Sequence, residues 1–125
     1  MADLLATGAA WLADQLQRHA AGIVTYQHGG LSLEVPATIG KTEFLLDDGS
    51  GTVVRFHSRD FLIRAAALQV AGVPFLPTPG DRIAETRDGR TYVYEVLAPG
   101  TEPAFRYSDP FRQLLRVHTK HVATT

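Results

Sequence analysis

At 125 residues the chain suits one domain with a modest hydrophobic core and leaves little room for a second. Hydrophobic residues make up 45% and cysteine is absent, which excludes a thiol nucleophile, a disulfide framework and a Cys-based zinc site, and agrees with a reducing compartment. Twelve basic residues nearly balance thirteen acidic ones, so the basic excess of a conventional nucleic-acid binder is missing.

Residues 1–21 read as a docking helix. Leu5, Ala9, Leu12 and Leu16 share one helical stripe between Ala2 and Ala20, Leu4 and Trp11 widen it, and Gly22 is a stop signal. Asp3, Asp14 and Gln15 interrupt the apolar run and no basic segment precedes it, which is unlike a secretory signal. No stretch approaches the roughly 18 apolar residues that span a bilayer, so a soluble, unexported protein with no membrane partner is expected. The apolar face of Leu5, Trp11, Leu12 and Leu16 predicts docking on a partner or adjacent subunit, the chain's own β domain being the plainer choice.

From residue 22 to residue 125 the period changes to two, and one small β-barrel or sandwich is expected behind the N-terminal helix. Ile23–Gln27 and Leu31–Val35 flank His28-Gly29-Gly30, a hairpin signal, and Thr38–Leu46 reads as a third strand before the flexible turn Asp47–Gly51. Thr52–Ser58 and Asp60–Ala65 read as two more strands, with Val54, Phe56, Phe61 and Ile63 pointing inward. Three prolines make Val73–Pro79 extended loop. Asp81–Thr86 and Thr91–Leu97 straddle Asp88-Gly89, the clearest hairpin in the chain. Phe105–Tyr107 is a short strand, and Leu114–Val122 the last, with Leu115, Val117 and Thr119 on one face and Arg116, His118 and Lys120 on the other.

No residue set carries an evident chemistry. His118 and His121 fall on opposite faces of a strand and read as two exposed histidines, not metal ligands. No serine sits in a Gly-x-Ser-x-Gly turn; Ser58, in His57-Ser58-Arg59-Asp60, reads as a local cap. Gly40-Lys41-Thr42 lacks the glycine five residues earlier that a phosphate loop needs, since Val35 stands there. The expectation is a protein without catalytic residues, metal or cofactor. Tyr92, Tyr94, Phe105, Tyr107 and Phe111 with Arg106 and Arg112 leave an alternative: a β-barrel binding module for single-stranded nucleic acid or a protein partner.

The second half has a distinctive order: Asp60–Arg64, Leu68, Pro79–Ile83, Tyr92–Val96, Pro99-Gly100 and Leu115–Lys120. In this it resembles the head–tail joining proteins of tailed bacteriophages and prophages, also called head completion, stopper or connector proteins. The resemblance covers roughly residues 52–122. It implies a structural virion protein of the phage neck, assembled in the host cytoplasm. Copies would form a homo-oligomeric ring between the portal or adaptor protein of the DNA-filled head and a tail protein, close to packaged DNA. It implies no catalytic residue. Charge is unevenly spread in a way that suits a ring: Asp47 and Asp48 stand in an acidic N-terminal part, Arg106, Arg112, Arg116 and Lys120 in a basic C-terminal part, and these are the expected inter-subunit contacts.

Overall fold

The computed structural model describes residues 22–47, 49–100 and 102–125. The expected helix, with Leu5, Trp11, Leu12 and Leu16, lies outside the described residues, as does Asp48.

The described chain is mainly β. Strands β1 (Gly22–His28) and β2 (Leu31–Asp47) form the first hairpin across Gly29-Gly30, with Gly22 opposite Ala37 and His28 opposite Leu31. Strand β3 (Val53–Arg64) returns along β2, pairing Thr38 with Leu62 and Asp47 with Val53. A one-turn 3-10 helix at Ala65–Ala67 leads into a miniature sheet of β4 (Gln69–Val70) and β5 (Val73–Pro74). Then come β6 (Arg82–Arg87), β7 (Arg90–Val96), β8 (Phe105–Tyr107) and β9 (Leu114–Thr124). Between β6 and β7, Asp88 and Gly89 both take positive φ, 51° and 77°, as the expected tight hairpin requires.

All main-sheet pairs are antiparallel, in the order β3-β2-β1-β6-β7-β9-β8, and β3 also pairs with β9. The sheet therefore closes on itself. Thr119 shows the closure directly, because it faces Arg59 across one edge of β9 and Val96 across the other. Inside lie Val24, Tyr26, Val35, Phe61, Ile63, Ile83, Tyr94, Val96, Leu115 and Val117, with Leu68. Their alternation along each strand is the period-two pattern of the sequence. Burying each large apolar side chain stabilises the fold by about 1.5–3 kcal/mol relative to exposing it.

Three expectations are corrected. Thr52–Ser58 and Asp60–Ala65 are one continuous strand, since β2 is long enough to pair with all of it. Of the expected inward set on that strand, Phe61 and Ile63 are buried but Val54 is 47% exposed. Val54 and Phe56 also have the opposite strand parity to Phe61, so they face outward. The proline-rich segment is not loop throughout: Val73–Pro74 pairs with Gln69–Val70 as β5, Phe75 N–H donates to the Leu68 carbonyl, and the Phe75 ring stacks on His28 at 4.4 Å.

Candidate functional site

The long β2–β3 hairpin outruns the closed sheet. β1 meets β2 only as far as Ala37, and β9 meets β3 only from Arg59 onward. Among the described residues, 42–47 and 53–58 pair only with each other, forming a two-stranded arm. One arm face continues the interior parity and is charged: Glu43 lies 3.2 Å from Arg55, an exposed pair. The other continues the outer parity and carries Phe44, Phe56 and Val54; the rings of Phe44 and Phe56 are 5.8 Å apart. Leu45 and Val53, on the charged face, are 63% and 59% exposed. At the tip, Asp47 Oδ1 accepts from Gly49 N–H at 2.9 Å, closing a short Asx-type turn.

At the arm's root, on the outer side, Asp60 is fully buried. Its Oδ1 accepts from Ser58 Oγ at 2.5 Å and faces His118 Nδ1 at 3.0 Å. Its Oδ2 accepts from Thr42 Oγ1 and from Arg116 Nη1, the latter at 2.9 Å. Gly40 makes the last contact feasible: a Cβ there would stand 3.0 Å from Arg116 Nη1 and 3.2 Å from Leu62 Cδ1. Burial alone disfavours the Asp60 charge, but the hydrogen bonds from His118, Ser58, Thr42 and Arg116 outweigh it and hold the carboxyl well below the usual carboxylate range.

This cluster unites a serine, a histidine and an aspartate, yet its geometry is structural. In a nucleophilic triad the two ring nitrogens face different partners, one the carboxylate and the other the hydroxyl. Here the same Nδ1 faces Asp60 at 3.0 Å and Ser58 Oγ at 3.5 Å, while the Ser58 hydroxyl donates to the carboxylate instead of to a base. Because an ionised carboxylate only accepts, Nδ1 carries the proton. The expectation of an exposed His118 is corrected: it is buried, with Phe44 edge-on at 5.2 Å. His121 sits elsewhere, its Nε2 2.7 Å from Thr124 Oγ1.

A second buried carboxylate, Asp81, ties β1 to the proline segment. It accepts from Tyr26 Oη at 2.7 Å and Thr78 N–H at 3.0 Å, and lies 2.8 Å from His28 Nδ1. Burial first, then the Asp81 hydrogen bond and charge, push the Tyr26 phenol well above its ordinary range. Beside the arm root an open cavity of about 460 Å³ is lined by Ile39, Gly40, Lys41, His57, Ser58 and Arg59. Its Arg59 is engaged by Glu85 at 2.7 Å.

The expected contact residues are dispersed. Asp47 stands at the arm tip, far along the register from the basic group. Arg106 is exposed on β8 directly opposite Arg116 on β9, and Lys120 is exposed further along β9. Arg116 is engaged within its own chain by Asp60, which removes it as a free cation for a neighbour. Arg112 sits in a loop with φ of 58° and lies over the Tyr107 ring at 5.5 Å. That loop is shaped by Asp109, whose carboxylate accepts from the backbone N–H groups of Phe111, Gln113 and Leu114 at 2.8–3.0 Å. The aromatic residues behind the alternative of a single-stranded nucleic-acid module do not share one surface, because Tyr94 is buried against Phe61 at 5.4 Å.

Compared with known families, residues 2–125 match the model of the phage head-tail joining protein. The chain belongs to the phage head–tail joining protein family. A comparison with curated proteins gives no match. This head–tail joining protein is thus a structural virion component, and its buried Ser58–Asp60–His118 set braces the seam where β3 meets β9. Among its described residues no helix is long and apolar enough to cross a membrane.

Proposed function

We propose that copies of this protein assemble into a ring at the phage neck, between the portal or adaptor protein of the DNA-filled head and a tail protein. The observation that carries the reading is the family match over residues 2–125. A ring repeats one heterologous contact, so each copy must present two different surfaces. The β2–β3 arm and the basic face of Arg106 and Lys120 are two such surfaces on separate elements of the fold. The arm tip, 47–51, is the loop that contacts a neighbour or the tail side. The near balance of charge keeps the ring from binding packaged DNA tightly, because such binding grows with the number of phosphates neutralised.

Cryo-electron microscopy of purified particles tests the assignment. A ring of this fold in the neck density is the expected result. Its absence there, with the chain found in the tail shaft or the capsid shell, would overturn it.

A further inference from the structure

Resting on the ring reading above, we propose that the basic cavity at the root of the β2–β3 arm receives the acidic arm tip of a neighbouring copy, with Lys41 paired to Asp47.

The cavity is built for an anion. Ile39, Lys41, His57 and Arg59, which line it, share the strand parity of the buried Phe61, so it lies on the interior-parity face where the arm leaves the closed sheet. The register sets Lys41 directly opposite Arg59, two cations across one strand pair. Like charges so placed repel, and a carboxylate set between them relieves the repulsion. Glu43 and Glu85 do not supply it. Glu43 lies 3.2 Å from Arg55 and 3.9 Å from His57, and Glu85 is shared between Arg59 at 2.7 Å and Arg87 at 3.5 Å. Among the described residues Lys41 has no ion-pair partner, and the buried Nε of Arg59 has no hydrogen-bond partner.

The arm tip is the matching part. Asp47 is exposed, and its Oδ1 takes the Gly49 N–H, which leaves Oδ2 for a cation. Val53 stands opposite Asp47 in the register, and with Leu45 it forms an exposed aliphatic shoulder on the same face. The cavity offers the like: Ile39, beside Lys41 on that face, is itself exposed. A two-stranded arm is barely stable alone in water, and its unpaired edges call for cover. The tip cannot supply its own cavity. Six positions along one extended strand separate Lys41 from Asp47, about 20 Å, so the contact is with another copy. Tip and root are then the two different surfaces that a repeating heterologous contact needs.

Lys41 and Lys120 are the chain's two lysines, so carbodiimide coupling of amine to carboxylate, which adds no spacer, reads the contact directly. Purified tailed particles are coupled, and the products are resolved by gel and by peptide mass mapping. The expected result is multimers of the chain in which Lys41 is joined to the tip carboxylates at 47 and 48. Lys41→Arg should abolish that link and leave the joining of heads to tails intact. Lys41→Glu, at an exposed position, should keep the wild-type melting temperature and lose joining. Particles that contain the chain with Lys41 unlinked, with Lys41 linked to a head or tail protein, or with the tip linked to Lys120 would overturn the contact and leave the neck role standing. Particles that lack the chain would overturn the neck role and the contact with it.

Discussion

His118 Nδ1 lies 3.0 Å from Oδ1 of Asp60, 58 positions away in the chain, across the β3–β9 pairing that closes the sheet. The two residues are direct partners in the strand register, so the contact locks the closure itself. Around it Ser58, Thr42 and Arg116 satisfy the remaining carboxylate lone pairs. A half-satisfied cluster in such a place would be worse than an apolar one.

Removing one partner should therefore be costly. Asp60→Asn leaves Arg116 without its counter-charge and turns an amide toward the His118 N–H; it should lower stability by about 3–5 kcal/mol. His118→Ala should cost about 1–3 kcal/mol, the penalty for an unmade buried hydrogen bond. His121→Ala, on an exposed side chain, should stay within about 0.5 kcal/mol. Urea unfolding followed by circular dichroism measures all three, and equal effects for the two histidines would contradict the burial of His118.

The low Asp60 pKa also sets an acid limit. Because the folded value is depressed, the unfolded chain binds the extra proton first, near the ordinary value of about 4. The stabilisation is complete above that pH and is lost as pH falls below it toward the folded value. Stability measured from pH 6 to pH 2 should fall steeply at the acid end, and Asp60→Asn should flatten that fall.

Tyr26 sets the alkaline counterpart. Its folded pKa is raised, so the contribution is complete below the unfolded value of about 10 and declines as pH rises above it. In an ultraviolet titration, one of the four tyrosines should ionise only as the fold opens, and Tyr26→Phe should remove that delayed step.

Strand periodicity and the two glycine turns made most of the β elements legible in the sequence, because each depends on residues close together. The closure did not show, since the β3–β9 pairing joins distant segments. His118 read as solvent-facing for the same reason. Strand parity placed it correctly opposite Leu115 and Val117, but parity does not say that Asp60, Phe44 and Arg116 cover that outer face. The arm was hidden by its composition: Val54 and Phe56 alternate like core residues, yet β2 and β3 extend past their neighbours there. Arg116 looked like one of four free cations, while Gly40, which admits it to Asp60, read only as part of a rejected phosphate loop.

The charged contact surface can be tested without touching the fold. Arg106→Glu with Lys120→Glu changes two exposed side chains, whereas reversing Arg116 would also break the Asp60 cluster. The double variant should keep the wild-type melting temperature and join heads to tails more slowly. Joining by the wild type should slow as salt is raised, since complementary charge acts mainly on encounter. A variant that joins at the wild-type rate at every salt concentration would remove these residues from the interface.

Joining of heads to tails with and without the protein tests most directly the proposed role as the joint between them. Phage lacking the chain should accumulate DNA-filled heads and separate tails in electron micrographs, and adding the purified protein should restore joined, infectious particles. Normal tailed particles in its absence, or heads and tails that stay apart after it is added, would contradict the account.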